Sequence, residues 1–295
     1  MVPFRRIMVV LDDTEDTQNL IRYAEFLAKI YNPEDLYFVH VVPDLESGLD
    51  FTVRFQTEQA TMQPVDEEIA ANLRNRIKRY FGDSENVRLH VDILEGREES
   101  QVEHWAGVKH ADLVLVGRGK GGFDETVLIK RLVRHLSVSV MVVPADAEPA
   151  IGRILVPIDF SEQSALAMFR AGELVDRLDD VTMQVFHTFE IPPGHFKISR
   201  TAKQFEQIML ENTGEVLDLF LSQSDATALR ENAVLVPAQH SNPARDIQAY
   251  LVKQAADLVV IGAHGHGAVE RFFIGSVTEG MLERSAQQAI LVIKQ

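Results

Sequence analysis

The 295-residue sequence contains no cysteine, which excludes disulfide bonds and thiolate metal sites. It also lacks any apolar run that approaches the roughly 18 residues needed for a membrane-spanning helix. The first apolar run, Ile7–Leu11, follows Arg5 and Arg6 but is too short for the hydrophobic core of a signal peptide. We therefore expect a soluble protein that resides in the cytoplasm and has no membrane partner.

Basic residues are scarce relative to acidic ones. The sequence has 29 Lys and Arg against 44 Asp and Glu, which gives a formal net charge of −15. Proteins that bind nucleic acids or anionic membranes rely on clustered Lys and Arg. The composition therefore argues against a nucleic-acid partner, although it is compatible with a local basic pocket.

The sequence contains an internal duplication. Two apolar segments of the first half recur in the second half at a nearly constant separation, and the closing apolar segments match in the same way. The two matched pairs are Arg6–Asp12 with Arg153–Asp159 and Ala111–Gly117 with Ala256–Gly262. Because the chain length also favours two domains, we predict domains at 1–147 and 148–295, joined by the proline-bracketed linker Pro144–Ala150.

Within each half, short apolar runs alternate with helical patterns. This alternation predicts an α/β fold in which each domain has a five-stranded, mostly parallel, doubly wound sheet flanked by helices. The predicted strands of the first half are Ile7–Leu11, Leu36–Val42, Val87–Leu94, Leu113–Val116 and Val140–Val143. The predicted helices are Thr14–Tyr31, Asp66–Phe81, Ser100–Lys109 and Thr126–Leu136, with a long one at Thr201–Ser224 in the second half.

A set of glycines follows the strand pattern Asp257–Gly262. Gly265 comes shortly after this strand, and the pair Gly275-Ser276 precedes the next helical pattern. Glycine lets the backbone approach a ligand closely, and a helix start offers free N–H groups to an anion. The pattern therefore predicts a phosphate cradle, although it is neither the lysine-containing GxxxxGK[ST] loop nor GxGxxG.

Several of these residues also have a structural interpretation. Ser276 is a common type of helix cap, and Asp159 is a common turn or capping residue. His264 and His266 invite a metal interpretation, but two histidines in one loop make a weak zinc site. We therefore expect no metal there and interpret both as exposed loop residues that line the pocket. We interpret His187, which has a counterpart in the first half, as a packing residue at a strand end.

The spacing Gly, two residues, Gly, nine residues, Gly-Ser resembles the motif of ATP-binding universal stress proteins, and the repeats extend this resemblance over essentially the whole chain. The resemblance implies an α/β nucleotide-binding fold with ATP as the ligand, with or without Mg²⁺. It also implies that the last strands pair, either in a homodimer or in a pseudo-dimer within one chain. The binding residues it implies are Pro157, Ile158, Asp159 and Thr188 near adenine or ribose, Ile261 and Gly262 near ribose, Gly265, Gly275 and Ser276 at the phosphates, and Val277 at the helix start.

Both halves depart from the family pattern. The second half has Ala238–Ser241 where many relatives have a glycine. The corresponding phosphate loop of the first half, Gly117–Thr126, is shorter, and alignment from the closing strand sets Glu125 opposite Gly275. Because a carboxylate at that position repels a triphosphate, we expect the N-terminal domain to bind ATP weakly or not at all.

Three functions remain open at this point. The first is an ATP-binding regulatory protein of the stress response. The second is an adaptor or small-ligand carrier with a vestigial nucleotide site, and the third is a slow ATPase in which Asp159 or His264 positions water. No Walker lysine or nucleophile–base pair is evident in the sequence, so we assign no catalytic residue. The protein partners and the stress signal are not encoded in any recognisable motif.

Overall fold

The computed structural model describes residues 4–12, 17–42, 63–82, 87–119, 123–191, 202–265, 273–285 and 287–294. The chain divides into two compact units, Met1–Pro149 and Ala150–Gln295, close to the boundary predicted from the sequence. Strands and helices alternate in both units. The predicted α/β class is therefore confirmed.

The N-terminal unit contains a parallel sheet with the order β3-β2-β1-β4-β5. Its strands are β1 (Arg6–Leu11), β2 (Asp35–Val42), β3 (Arg88–Glu95), β4 (Leu113–Arg118) and β5 (Ser139–Pro144). Its helices are α1 (Thr17–Tyr31), α2 (Gln63–Phe81), α3 (Glu98–Val108) and α4 (Phe123–His135).

The C-terminal unit repeats this topology with the order β8-β7-β6-β9-β10, again with parallel neighbours. Its strands are β6 (Arg153–Pro157), β7 (Thr182–Phe189), β8 (Ala233–Pro237), β9 (Leu258–Gly262) and β10 (Ala289–Ile293). Its helices are α5 (Glu162–Val175), α6 (Ala202–Gln223), α7 (Pro243–Gln254) and α8 (Ser276–Arg284), with a 3₁₀ helix at Thr227–Asn232.

The central strands are apolar because helices cover both faces of each sheet. Every residue of β9 and β10 is buried, as expected for parallel strands without a solvent face. Local signals set the helix starts. The Ser161 side chain caps α5 by accepting a hydrogen bond from the Ser164 N–H, and Asn242 caps α7 in the same way with Pro243 at its first position.

Element boundaries differ from the predicted ones by a few residues. Helix α2 begins at Gln63 and α4 at Phe123, each earlier than predicted, while β3 begins one residue later, at Arg88. Helix ends bury little apolar surface, so hydrophobic periodicity marks them poorly. The predicted helix starts at Thr14 and Thr201 lie outside the described residues.

In both units the strand order reverses beside the first strand, which opens a crevice at the carboxyl ends of the strands. The β6–β9 ladder ends at Leu155 and Val259, whereas the β1–β4 ladder runs on to Val10 and Val116. The pairing of these two strands in the C-terminal unit thus ends two residue pairs earlier. Across the described part of the chain, no helix has both the length and the apolar character needed to cross a membrane.

Candidate functional site

A cleft of about 780 Å³ occupies this crevice in the C-terminal unit. It is bounded by the carboxyl ends of β6, β7 and β9 and by the start of α8. All ten residues that the sequence singled out line it, and these are Pro157, Ile158, Asp159, Thr188, Ile261, Gly262, Gly265, Gly275, Ser276 and Val277. The fold thus gathers the predicted set in one cavity, while the ligand contacts assigned to each residue stay a prediction.

Asp159 has a structural role and also lines the cleft. Its Oδ1 accepts hydrogen bonds from the N–H and the hydroxyl of Ser161, at 3.1 and 2.5 Å, and so holds the turn that starts α5. Its Oδ2 lies against Gly265, where an added Cβ would come within 1.9 Å. The sequence left open whether Asp159 is a turn residue or a ligand contact. In the structure Oδ1 holds the turn, whereas Oδ2 lies beside Gly265 at the cleft.

Two further glycines are required by close packing within the protein. A Cβ at Gly262 would lie 2.9 Å from the Gln163 Cβ and 3.1 Å from the Gln163 backbone, so this residue lets β9 approach α5. A Cβ at Gly275 would lie 3.2 Å from the Cα of His264. The Gly275 N–H donates to the Ala263 carbonyl at 2.9 Å, which closes the glycine loop onto the end of β9.

Helix α8 begins at the cleft. Gly275 is its N-cap residue and Ser276 its first residue, so the interpretation of Ser276 as a capping serine is wrong. Thr278 anchors this first turn because its hydroxyl donates to the Gly262 carbonyl at 2.8 Å. The first amides of a helix have no acceptor within the helix and carry the positive end of its dipole. Ser276 and Val277 therefore present this positive end to the cleft.

His187 is more than the packing residue that the sequence indicated, because it also lines the cleft. Its Nδ1 lies 2.8 Å from the Ile158 carbonyl, and its ring packs on Phe160 with a centroid distance of 4.4 Å. Burial lowers the pKa of His187, although the Ile158 carbonyl and Asp159 oppose this shift. Nδ1 is a donor nitrogen of this ring because its partner is a carbonyl oxygen.

The sequence contained a signal for the hydrogen bond that His187 makes at the strand end, namely its repeat in the first half. His40 stands at the same repeat position, and its Nδ1 lies 2.8 Å from the Leu11 carbonyl. Sequence reasoning missed Phe273, which lines the cleft and is 53% exposed. His264, predicted as a loop residue lining the pocket, does line it, while His266 lies outside the described residues.

Within the described lining, the ionisable side chains are Asp159, His187 and His264, and none is a lysine or arginine. The cradle therefore relies on backbone amides and the α8 dipole for positive potential. In that same part of the chain, no group of His, Asp and Glu side chains has the arrangement of a metal site. An Mg²⁺ ion at this cleft would need ligand oxygens as well as Asp159.

The loop that lacks the family glycine is held by a buried carboxylate. Asp246 accepts hydrogen bonds from the backbone N–H groups of Gln239 and His240, and its Oδ1 lies 2.7 Å from the His240 Nδ1. This arrangement fixes the loop before α7, whose Pro243 and Ile247 line the cleft. The departure from the pattern thus leaves the wall intact.

In the N-terminal unit a cavity of about 310 Å³ lies at the ends of β1, β4 and β5. The Glu125 carboxylate accepts a hydrogen bond from the Gly119 N–H, so an internal anion already uses the shortened loop. Burial raises the pKa of Glu98 on the same wall, and the charges of Asp12 and Glu125 add to this effect. Arg118, only 8% exposed, lines the cavity too.

Comparison with known proteins agrees with this architecture. One similar solved structure is that of a functionally unknown protein from Pseudomonas aeruginosa PAO1. The match covers 99% of this chain and 92% of that protein, with 14% identity and a TM-score of 0.68. The match to a universal stress protein from Archaeoglobus fulgidus DSM 4304 covers 98% of this chain and 96% of that protein, with 14% identity and a TM-score of 0.67. At such identity these likenesses show the fold alone. The universal stress protein family model matches twice, over residues 3–144 and 150–294, and the chain therefore belongs to this family as a tandem two-domain member.

Proposed function

We propose that the C-terminal unit binds ATP in its cleft and that the protein acts as a nucleotide-dependent regulator of a stress response. The observation that carries the proposal is the convergence of ten residues, chosen from the sequence alone, on one cavity of about 780 Å³. This volume is typical of small-molecule sites.

The parts of the cleft suit different parts of the nucleotide. The amides of Ser276 and Val277 at the start of α8 would receive the phosphates. Gly265 and Gly275 let the loop backbone pack closely against Asp159 and His264 beside that space. The adenine and ribose would lie toward Ile158, where β6 and β7 end. When bound, Mg²⁺ would offset part of the phosphate charge, with Asp159 as the carboxylate available to it.

A regulatory role suits the site better than rapid hydrolysis. Within the described lining no lysine or arginine faces the phosphate end, and such cations are what phosphoryl-transfer enzymes use to stabilise the transition state. His187 keeps its donor nitrogen on the Ile158 carbonyl. Occupancy of the cleft would act by favouring one conformation or partner, which requires a different ATP affinity in the two states.

The test is calorimetric titration of nucleotide-stripped, full-length protein with ATP and Mg²⁺. We expect one site per chain, because the Glu125 carboxylate already uses the shortened loop of the N-terminal unit. Ser276→Asp should weaken binding at least about tenfold by adding like charge beside the phosphates, while a carboxylate in the first helical turn is compatible with folding.

The control is Thr126→Asp, which adds the same charge at the position of the N-terminal unit that aligns with Ser276, and it should leave the affinity unchanged. Equal affinities of the two variants would overturn the phosphate assignment. Absence of binding in the wild-type protein would favour the adaptor or ligand-carrier interpretation. Phosphate release that is lost in Ser276→Asp would instead support a slow ATPase.

A further inference from the structure

A second cavity, of about 1100 Å³, lies at the opposite edge of the C-terminal sheet. It is bounded by α5, by the amino ends of β6 and β7, and by the segment that joins α6 to β8. We call it the α5 groove and define it by Leu155, Ala165, Met168, Phe169, Gly172 and Met183. It has no lining residue in common with the cleft at the carboxyl edge.

The floor of the α5 groove is apolar, whereas polar and charged side chains surround its opening. Leu155, Met168 and Met183 are buried beneath it, whereas Phe169 on its side is 49% exposed. Ala165 and Gly172 lie one turn before and one turn after Phe169 on the same helical stripe. Two small residues beside a half-exposed aromatic ring leave space for a guest, and methionine side chains adapt readily to its shape.

The N-terminal unit shows that the fold does not need this surface. The corresponding stripe of α1 consists of Gln18, Arg22 and Glu25. Gln18 donates through Nε2 to the Tyr80 hydroxyl of α2 at 2.5 Å, and Arg22 lies 3.6 Å from Glu148. The same helix position is therefore polar and engaged in one copy but apolar and open in the other.

Of the charged side chains that line the α5 groove, Glu173 is paired within the protein and the others are exposed to solvent. Glu173 pairs with Arg170 at 2.7 Å and with Arg177 at 3.9 Å. Arg153 donates to the Gln254 carbonyl at 2.9 Å. The acidic residues Asp176 and Asp225 also belong to the rim, where both are exposed to solvent. No deep wall of the groove among the described residues thus offers a charge to an ionic ligand.

We propose that the α5 groove binds an uncharged, largely apolar small molecule whose ring or branched body packs against Phe169 and Met168. Neutral polar side chains at its edge, such as Thr182 and Asn232, suit a ligand with one or two hydrogen-bonding groups. The site is separate from the cleft proposed for ATP and does not depend on that proposal. It would give the C-terminal unit a second ligand of a different chemical class.

The first experiment titrates the full-length protein with N-phenyl-1-naphthylamine, an uncharged probe whose fluorescence rises in apolar surroundings. We expect saturable binding of one probe per chain, with the same affinity in the presence of saturating ATP and Mg²⁺, because the two cavities have separate walls. Absence of saturable binding, or competitive displacement of the probe by ATP, would overturn the proposal.

The second experiment uses a variant in which a larger side chain fills the α5 groove. An added Cβ at Gly172 meets no atom within 4 Å, so Gly172→Leu places its side chain in the groove without a clash and should weaken probe binding at least about tenfold. Gly107→Leu is the matched control, since Gly107 is a helical glycine of the N-terminal unit with equally open surroundings. Phe169→Gln, at a half-exposed position that tolerates a polar residue, should also weaken binding. Equal probe affinity of Gly172→Leu and Gly107→Leu would contradict the assignment.

Discussion

Gly265 and Asp159 lie so close that a Cβ on residue 265 would come within 1.9 Å of the Asp159 Oδ2. Their closeness joins the β6 turn to the loop after β9, although the two residues are far apart in the sequence. The atom in the way belongs to a side chain rather than to the backbone. A larger residue at 265 can therefore be accommodated only if the carboxylate moves.

This relationship predicts a double-mutant cycle with strong coupling. Gly265→Ala should destabilise the C-terminal unit by about 1–3 kcal/mol, because the new methyl group displaces Asp159 from the Ser161 amide. Asp159→Ala removes the obstructing oxygen, so Gly265→Ala should cost much less in that background. Thermal unfolding of the four proteins measures the coupling, and additive effects would contradict the close contact.

A second prediction concerns Gly262, where the obstruction includes the backbone of Gln163 at 3.1 Å. Because a helix backbone cannot move aside alone, Gly262→Ala should lower the free energy of unfolding by about 1–3 kcal/mol. Gly172→Ala is the control in the same unit, since its Cβ meets nothing within 4 Å. It should stabilise α5 by about 0.5–1 kcal/mol, the usual helix preference for Ala over Gly. Urea unfolding measures both free energies of unfolding and so distinguishes the expected loss for Gly262→Ala from the expected gain for Gly172→Ala.

The sequence predicted the α/β fold class and singled out residues that line one cavity, because both depend on short-range patterns. Buried parallel strands such as β9 are continuous apolar runs, and glycines at fixed spacing after such a strand are typical of a loop that approaches a ligand. The structural role of Gly262 was not predictable, since it depends on Gln163 in another element. The backbone conformation of Phe160 was also not predictable from the sequence. Its φ of 65° is left-handed, a conformation that phenylalanine does not favour.

The contrast between α1 and α5 was equally inaccessible from the sequence alone. In the sequence, Phe169 cannot be distinguished from a buried core residue of an amphipathic helix, and only the structure shows that it is exposed. Only the two copies together reveal that Gln18 and Tyr80 bridge two helices where the second copy leaves a groove. A tandem protein thus contains an internal comparison for its own unusual features.

A third prediction concerns acid stability of the N-terminal unit. The Arg88 hydrogen bonds lower the pKa of Asp35 to about 2, against the opposing effect of burial, and a bond from His90 adds to the lowering. A lowered folded-state pKa stabilises the protein above the unfolded value of 3.8, and this contribution is lost as the pH falls toward 2. Asp35→Asn should therefore lower stability at pH 7 and flatten its loss between pH 4 and pH 2.

The control for this prediction is Asp179→Asn, which alters an exposed carboxylate of the C-terminal unit. Its pH dependence of unfolding should match that of the wild type. If Asp35→Asn kept the full acid-dependent loss of stability, the pair with Arg88 at 2.8 Å would not be the source of that loss.

The last prediction concerns the N-terminal crevice, where the Glu125 carboxylate accepts a hydrogen bond from the Gly119 N–H. Glu125→Ser removes this internal anion but leaves Asp12 and Glu98 on the same wall. Because the Glu98 carboxylate still faces the space that a triphosphate would need and the loop stays short, we expect calorimetry to give one ATP per chain, as for the wild type.

The same variant should also lower the pKa of Glu98, because one of the charges that raise it is gone. Glu103→Ser, at an exposed position of α3, is the control and should change neither quantity. An ATP stoichiometry of two in Glu125→Ser would mean that a single carboxylate closes the N-terminal site and that the shortened loop can still hold phosphates. Retention of one site would instead trace the loss of binding to the loop and to the remaining acidic wall, two changes that no single substitution reverses.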